Sequence, residues 1–480
     1  MDPLTSAFCV SACASLCVSF IAAFPAYAQR SLESHRPAAD QLIDAALRDS
    51  AAYERLGRLT DGFGARPSGS QNLERAIDWI VAEMKKDGLE NVHTEPVTVT
   101  HWVRGAESAV MEKPARMRLH MLGLGRSVGT PPGGIAAPVL VVRDFAELRA
   151  RSAQAKGRIV VFNFPFDTAL HPFVAYGGAV QYRAYGVDSA ALVGAIAVLV
   201  RSATPVSLQT PHTGGLSYAD TIRKVPRIPG ASITPEDAEM LHRLQRRGET
   251  PVVRLTMGAR TLPPAQSRNV IAEIRGSERP DEVIVLGGHI DSWDVGTGAM
   301  DDAGGCVAAW EALRLIKQSG VRPKRTIRVV LWTNEEIGLG GAFAYRDAHR
   351  AELDRHIIAM ESDNGVFRPA GIMFAGSDQG LAVMREVSHL LKRAGADSIQ
   401  AGGPEADVWP LNTLGVPAVA INVDPSRYFW YHHTEADTID KINPRDMALC
   451  VAIMAVVANT VANMEGSVPR APVADADLRR

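Results

Sequence analysis

The chain has 480 residues, of which 46% are hydrophobic and 22% are charged, and its formal net charge is −2. This composition is ordinary for a globular protein and excludes extended disorder. The near-zero charge gives no electrostatic basis for a nucleic-acid partner. Because domains typically contain ~100–200 residues, the length predicts two or three of them.

The N-terminal segment is typical of an export signal. Residues 7–23 are apolar, and Ala26-Tyr27-Ala28 forms an A-x-A processing site before Gln29. We expect cleavage after Ala28 and a secreted or periplasmic protein, with retention as a membrane anchor as the alternative. Cleavage would leave Cys306 and Cys450 in the mature chain, which is typical of buried small apolar residues rather than a disulfide framework.

The next predicted elements are a helix and then a β-rich region. The helix is indicated by apolar residues at helical spacing before Gly88, namely Leu73, Ile77, Ile80, Val81 and Met84. From about residue 115 to 260 the short runs VLVVRDF, GRIVVFNF and AIAVLVRS predict strands separated by loops. The breaker-rich stretch TLPPAQS at 261–267 is predicted to end this region.

Strands and helices then alternate. The apolar runs VIAEIRG, EVIVLGGHID, TIRVVLWTNEE, HIIAMESD and VPAVAINV predict strands, and CVAAWEALRLIKQSG predicts a helix between them. Strands that are apolar at nearly every position are typical of a mostly parallel sheet with helices on both faces. Ligands bind beyond the carboxyl ends of the strands in such sheets.

The last apolar run, residues 447–464, has two interpretations. Its length and composition permit a membrane span, but Asn459 and Asn463 interrupt it. Asn443 as cap, Pro444 at the first helical position and Asp446 in the first turn are typical of a soluble helix. We therefore expect a buried helix packed on the sheet and no stable membrane span in the mature chain.

Polar residues cluster where the predicted strands end. They are His289 and Asp291 after the second strand of the alternating region, Glu335 and Glu336 after the third, Asp363 after the fourth, and His433 beyond the last. One such residue alone would be typical of a cap or a solvated loop. Together they indicate a metal site, since buried unpaired carboxylates repel unless protons or a cation neutralise them. Histidine with carboxylate favours zinc, and the surplus of acids favours two ions.

These residues lie in an ordered set of motifs. H-I-D (289–291), M-D-D (300–302), N-E-E (334–336), E-S-D (361–363) and H-T-E-A-D (433–437) together resemble the M28 zinc exopeptidases. The resemblance extends from about residue 40 to 465, including an inserted segment similar to a protease-associated domain. It implies a short peptide substrate and a homodimer.

The resemblance also implies a role for each residue. Two zinc ions per subunit would be held by five ligands: His289 and Asp363 on one ion, Glu336 and His433 on the other, and Asp301 between them. Glu335 would be the general base, and Asp291 would hydrogen-bond the far nitrogen of His289. These roles agree with the chemistry of a metal pair ~3.5–4 Å apart and of a carboxylate that accepts a proton from water.

Three further polar residues near these motifs have weaker interpretations. We expect Asp294 to organise its loop, and Asp302 to support Asp301 through a strained peptide like that of the family. His432 has no assigned role. Glycines at 296, 298, 304 and 305 would let the loop fold back over the sheet edge so that His289 and Asp301 meet.

The predicted fold class is α/β: a mixed, mostly parallel sheet flanked by helices, with an inserted β-rich protease-associated-like domain. The predicted organisation is a signal at 1–28, the first part of the catalytic domain at 29–112, the insert at 113–261, the main catalytic part at 262–465 and a flexible tail at 466–480. The insert offers no metal or nucleophile pattern, so we expect it to shape access to the cleft, with a plain spacer as the alternative.

The leading functional hypothesis is an exported zinc exopeptidase acting on dipeptides or short peptides, of the aminopeptidase or dipeptidase type. A second hypothesis is hydrolysis of N-acyl amino acids or glutaminyl cyclisation by the same metal chemistry. A third is a non-catalytic receptor on the same scaffold. That third hypothesis predicts loss of ligands or base, whereas this chain keeps Glu335 and all five ligand positions.

Overall fold

A computed structural model describes residues 32–206, 208–218 and 225–472. The predicted export signal at residues 1–28 lies outside these ranges. The described residues form two sheets with helices on their faces, and the strands and helices are numbered separately in chain order.

The helices are α1 Arg36–Arg48, α2 Ala51–Phe63, α3 Gln71–Lys86, α4 Phe145–Ala150, α5 Ser152–Ala155, α6 Pro172–Leu192, α7 Pro235–Arg246, α8 Gly304–Gln318, α9 Glu335–Gly338, α10 Gly340–Ala348, α11 Asp378–His389, α12 Trp409–Asn412, α13 Tyr428–Tyr431 and α14 Pro444–Asn463. The strands are β1 Glu90–Val103, β2 Glu107–Lys113, β3 Met117–Leu119, β4 Met121–Gly123, β5 Ile135–Val142, β6 Ile159–Phe162, β7 Ala197–Arg201, β8 Gly230–Ile233, β9 Val252–Met257, β10 Arg260–Ile274, β11 Arg279–His289, β12 Arg325–Trp332, β13 His356–Glu361, β14 Pro369–Ala375, β15 Ser398–Ala401 and β16 Ala418–Val423.

The first sheet has the strand order β1-β10-β12-β11-β13-β16-β14-β15. Its centre is parallel, since β12, β11, β13 and β16 run in one direction. Side chains of a strand alternate between the two faces, and β11 is apolar on both. Ile284 and Leu286 join the core under α8 and α14, whereas Val283 and Val285 join a second core with Tyr345 of α10. The predicted mixed, mostly parallel sheet flanked by helices is confirmed.

Helix α14 is the buried helix that the sequence predicts. Among the described residues it is the helix long and apolar enough to cross a membrane, but 89% of its apolar window is buried inside the protein. The Asn443 side chain accepts hydrogen bonds from the backbone N–H groups of Arg445 and Asp446, and Pro444 begins the helix. Helix α14 therefore belongs to the core under the first sheet.

The second sheet has the order β3-β2-β9-β5-β6-β7-β8-β4 and also carries helices. The chain passes into it between β1 and β2 and returns between β9 and β10. The second sheet is therefore an insertion between two neighbouring strands of the first. The predicted domain limits at 113 and 261 fall at the last residue of β2 and inside β10.

The prediction that TLPPAQS breaks the structure is wrong. These residues lie in β10, which pairs with β1 along most of its length. The register shifts there, since Ala265 pairs with Val99 but Leu262 pairs with His101. The two prolines fall at this irregularity, where a strand tolerates the missing N–H donors.

The residues directly after 466 pack on the fold, although the sequence predicted a flexible tail from residue 466. Val468 is buried, and the carbonyl oxygen of Pro469 accepts a hydrogen bond of 2.8 Å from Ser377 Oγ at the start of α11. Residues 473–480 lie outside the described ranges. Cys306 and Cys450 are free and buried, as predicted.

Candidate metal centre

The predicted site residues meet at one edge of the first sheet. His289 is the last residue of β11, Glu335 and Glu336 follow β12, and Asp363 follows β13. Since these neighbouring strands are parallel, their carboxyl ends lie side by side. His433 arrives from the turn after α13 and completes the group.

Asp301 lies at the centre, with one oxygen facing each half of the site. Its Oδ1 is 3.2 Å from His289 Nε2, and that nitrogen is 3.4 Å from Asp363 Oδ1. Its Oδ2 is 3.2 Å from His433 Nε2, and that nitrogen is 3.2 Å from Glu336 Oε2. The two oxygens of one carboxylate thus belong to two separate pairs of potential ligands.

These separations fit metal ligands. Four ligands about 2.0–2.1 Å from a tetrahedral zinc ion lie about 3.3 Å from one another. Three carboxylate oxygens here are buried without a hydrogen-bond partner, on Asp301, Glu336 and Asp363. Buried polar atoms normally have partners. The unpartnered oxygens therefore indicate a positively charged group that all three could contact, and a metal cation is such a group.

Electrostatics lead to the same conclusion. Burial, followed by the charge of Asp301, raises the pKa of Glu336 to about 7. Burial lowers the pKa of His433, but the neighbouring Glu336 and Asp301 overcome this and raise it to about 9. Burial also raises the pKa of Glu335 well above its usual range. The charged forms of these acids therefore need positive charge nearby, which bound metal supplies.

Asp291 contacts His289 in a different way from the prediction. The Nδ1 atom of His289 donates to the backbone carbonyl of Asp291 at 2.9 Å, whereas the nearer carboxylate oxygen is 3.8 Å away. The carboxylate instead accepts the backbone N–H of Glu335 at 3.0 Å and the hydroxyl of Ser68 at 2.9 Å. The far nitrogen of the His289 ring is held as expected, but by the backbone carbonyl of Asp291, and the side chain of Asp291 holds the backbone of Glu335.

The loop that carries Asp301 is fixed by groups that the sequence reasoning missed. Asp437 accepts hydrogen bonds from the backbone N–H of Met300 at 2.7 Å and of Asp301 at 3.2 Å. The fully buried Arg66 donates to the carbonyls of Thr297 and Gly298. The H-x-x-x-D spacing was a signal for Asp437, but nothing in the pattern singled out Arg66, which lies more than 220 residues earlier.

Asp302 supports the same loop. Its carboxylate accepts the backbone N–H of His289 at 3.1 Å and of Gly305 at 3.0 Å, and the Asp301–Asp302 peptide bond is cis. A Cβ on Gly305 would lie 1.8 Å from the Ser362 carbonyl oxygen, so only glycine fits. The loop can fold back onto the strand end because of this close approach.

Asp294 connects the loop to the second sheet. Its carboxylate forms a two-pronged ion pair with Arg104, at 2.8 Å to Nε and 2.5 Å to Nη2. Arg104 lies between β1 and β2, where the chain crosses from one sheet to the other. The predicted role of organising a loop therefore extends to holding the two sheets together.

The second sheet covers the site. A cavity of about 250 Å³ is lined by ten residues: Tyr176, Arg183, Gly215, Asp301, Glu335, Glu336, Asp363, Tyr428, His432 and His433. Three of them come from the inserted segment. That segment also holds the histidine turn, since Thr213 N donates to the His433 carbonyl at 3.0 Å and the Thr213 carbonyl lies 3.3 Å from His433 Nδ1. No motif or spacing in the sequence indicated these contacts.

His432 lies beside the centre. Its ring stacks on that of His433 with 3.5 Å between centroids, and its Nε2 is 3.7 Å from Asp301 Oδ2. The backbone carbonyl of His432 lies 2.7 Å from His212 Nδ1 of the inserted segment. His432 therefore packs between His433 and the inserted segment.

The chain matches known proteins along most of its length. Residues 269–460 match the model of peptidase family M28. Carboxypeptidase Q from Mus musculus is 47% identical over 419 residues, which cover 87% of each chain. The chain belongs to the M28 peptidase family.

Solved structures agree with this assignment. A peptidase M28 precursor from Shewanella amazonensis is 33% identical, with a TM-score of 0.87 over 92% of this chain and 100% of its own. A zinc aminopeptidase from Bacillus subtilis is 20% identical and shares the fold, with a TM-score of 0.64 over 87% of this chain and 96% of its own.

Membership in the family fixes the class of chemistry. The chain is a zinc-dependent M28 metallopeptidase similar to carboxypeptidase Q. Within the described residues, His289, Asp301 and Glu336 are one group whose ligand atoms lie within 4.8 Å of one another, and His289 with Asp302 and Asp363 is another. The match to the family model spans every residue of the predicted ligand set.

Proposed function

We propose that this protein is an exopeptidase that holds two zinc ions at the edge of the first sheet. His289 and Asp363 would hold one ion, Glu336 and His433 the other, and Asp301 would join them. The observation that carries the proposal is the placement of the Asp301 carboxylate, whose Oδ1 faces His289 and whose Oδ2 faces His433, both at 3.2 Å.

Zinc, when bound, polarises a peptide carbonyl and makes water more acidic. Glu335 then acts as the general base: it lines the cavity beside Glu336, accepts a proton from the attacking water, and passes it to the leaving amine. Asp291 keeps Glu335 in place, since its carboxylate accepts the Glu335 backbone N–H. The Tyr428 hydroxyl donates to the backbone carbonyl of Asp363 at 3.2 Å and so helps to position Asp363.

The proposed substrates are dipeptides or short peptides with free termini. The cavity of about 250 Å³ is below the usual range of small-molecule sites, ~300–1,000 Å³, which favours a small substrate. The inserted sheet lies over the cavity and would limit the entry of folded chains. We propose that this insert is protease-associated-like and that it shapes access to the cleft.

A dipeptide panel with a metal count tests this function. We expect about two zinc ions per chain by plasma mass spectrometry and hydrolysis of at least some free dipeptides. Glu335→Gln should keep its zinc but lose roughly 10²–10⁴-fold in kcat. The matched control is Glu435→Gln, which changes an exposed carboxylate two residues from His433 and should act like wild type.

Two results would reject the proposal. One is a zinc-loaded wild type that cleaves no member of the panel, and the other is a Glu335→Gln variant as active as wild type. A single zinc ion per chain in a fully active enzyme would reject the paired metal centre while leaving the peptidase assignment in place.

We also propose export and a homodimer. The apolar run and the A-x-A site at residues 26–28 support export, and N-terminal sequencing of the mature protein should begin at Gln29. The homodimer is supported by resemblance to the family. Light scattering after size exclusion should give about twice the mass of one chain.

A further inference from the structure

The charges around the cavity are unevenly distributed. Asp301, Glu335, Glu336 and Asp363 are the carboxylates that line it, and Arg183 is the one lysine or arginine among the residues described as lining it. Arg183 comes from α6 of the inserted segment, so the positive charge sits on the cover and the negative charges sit on the sheet edge.

The guanidinium of Arg183 has donor capacity to spare. Its Nη1 donates to the Thr213 carbonyl at 3.3 Å, and its Nε is buried with no hydrogen-bond partner. No carboxylate of the described residues forms an ion pair with it. A guanidinium that is shielded from water normally satisfies its N–H groups in a fork with a carboxylate or phosphate. Arg183, with its buried Nε, can therefore bind an anion that the described residues do not provide.

Packing holds this side chain toward the cavity. The guanidinium lies against the backbone of Gly214, where an added Cβ would be 2.3 Å from the Arg183 Cζ atom. The Tyr176 ring lies on another side, with its centroid 5.7 Å from Cζ. A ligand group that bound here would therefore meet an arginine whose position is already set.

Resting on the proposed function, we infer that Arg183 binds the C-terminal carboxylate of the peptide substrate. Its Nη1 lies 3.4 Å from His433 Nδ1, and Nε2 of the same ring is 3.2 Å from Asp301. Only one imidazole ring thus separates the guanidinium from the carboxylates at the reacting end of the cavity.

The distance between Arg183 and the carboxylates of the site limits how many residues the substrate can have after the cleaved bond. One residue of extended peptide spans at most ~3.6 Å, so a carboxylate on the residue directly after the cleaved bond reaches Arg183. A second residue after that bond would carry its carboxylate past the guanidinium. The preferred substrates are therefore peptides that release a single C-terminal residue, of which dipeptides are the smallest.

Paired substrates that differ only at the C-terminus test this role. Wild type should cleave alanyl-alanine with a kcat/KM at least 10-fold above that for alanyl-alaninamide. Arg183→Ala should lower kcat/KM for the free acid by roughly 10- to 100-fold, the size expected for a charge-assisted pair, and change the value for the amide less than 3-fold. Arg183→Lys should lie between, because it keeps the charge but loses the fork.

The matched control is Arg201→Ala. Arg201 lies in β7 of the second sheet, and unlike Arg183 it forms an ion pair with a carboxylate: its Nη1 donates to Glu239 at 2.5 Å and to Asn163 at 3.0 Å. This variant should keep the wild-type ratio of acid to amide. Zinc content and melting temperature, measured for every variant, show whether Arg183→Ala is folded and loaded, and Arg183→Lys provides the comparison if it is not.

A binding measurement tests the role of Arg183 independently of the proposed peptidase function. Calorimetry of zinc-loaded Glu335→Gln should show alanyl-alanine binding at least 10-fold more tightly than its amide, and adding Arg183→Ala should remove that difference. The preference in binding supports the role of Arg183 even if wild type turns over no dipeptide, which would reject only the peptidase proposal. Equal affinities for acid and amide, or an unchanged preference after Arg183→Ala, would overturn the inference.

Discussion

The two sheets meet at one cavity but contribute to it in different ways. The first sheet supplies every proposed metal ligand from the ends of its strands and from the loops that follow them. The inserted second sheet supplies no ligand of that set, but it places Tyr176, Arg183 and Gly215 on the opposite wall. In the proposed function, the strand ends therefore carry the chemistry, and the inserted segment selects the substrate.

This division follows from how each element holds its side chains. A residue at the end of a central parallel strand is positioned by strand pairing: His289 pairs with Trp332 of β12, and Gly287, two residues earlier, is the last residue of β11 that pairs with β13. Metal ligands need such precision. Tyr176 and Arg183 line the cavity from α6, and Arg183 is inferred to act through its charge and the length of its side chain.

The Asp301 carboxylate, which is proposed to join the two metal ions, should give the largest effect. Asp301→Asn should reduce zinc to less than one ion per chain and lower kcat/KM by roughly 10³-fold or more, because an amide offers one good oxygen ligand where the carboxylate offers two. Mass spectrometry and dipeptide hydrolysis measure both. A variant that keeps two ions and full activity would show that Asp301 does not join them.

A substitution at Asp291 tests whether the backbone or the side chain of this residue positions His289 at the end of β11. Asp291→Asn should keep its zinc, because His289 bonds to the backbone carbonyl of this residue. We expect kcat to fall by roughly 10–100-fold, since the carboxylate holds the Glu335 backbone N–H. Loss of zinc in place of kcat would indicate that the carboxylate acts on His289 after all.

Breaking the ion pair between Asp294 and Arg104, which links the two sheets, should have a smaller effect. Asp294→Asn breaks the ion pair with Arg104 and leaves the ligands untouched. We expect a roughly 2- to 10-fold rise in KM with unchanged zinc content, because a partly buried charged pair contributes modestly and the cover shifts without it. A fall in zinc content instead would mean that Asp294 serves the metal loop directly.

A substitution at His356, the first residue of β13, should affect stability and not activity. Burial lowers the pKa of His356 to about 4, where its ring contacts the Tyr345 hydroxyl at 2.9 Å and the Glu352 carbonyl at 3.0 Å. A neutral histidine in the folded state stabilises the protein above the unfolded pKa of about 6.5, and this contribution is lost as the pH falls toward 4. The loss is roughly 1–3 kcal/mol of unfolding free energy.

Denaturant unfolding of wild type and His356→Gln at pH 7 and pH 4.5 measures this effect. The wild type should lose more stability between the two values than the variant does, and both should have similar kcat/KM at pH 7. Equal pH dependence in the two proteins would mean that His356 titrates alike in the folded and unfolded states.

Much of the first sheet could be read from the sequence because its strands are apolar on both faces and end in polar motifs. That pattern predicted β11, β12, β13 and β16, the buried helix α14, and the set of acids and histidines that the structure brings together. The strand TLPPAQS was missed because its prolines resemble a loop, and only the bulge opposite β1 explains how β10 accommodates them.

The sequence by itself determined which side chains can bind a metal and on which strand ends they stand, since ligand type and strand periodicity are local properties. Tertiary structure decided which atom of each makes the contact: the Asp291 backbone carbonyl on His289, the Asp437 carboxylate on the Asp301 loop, and Arg183 across the cavity. These contacts join segments as much as 250 residues apart. The contact of Arg183 depends on how the two sheets pack together, which no local pattern records.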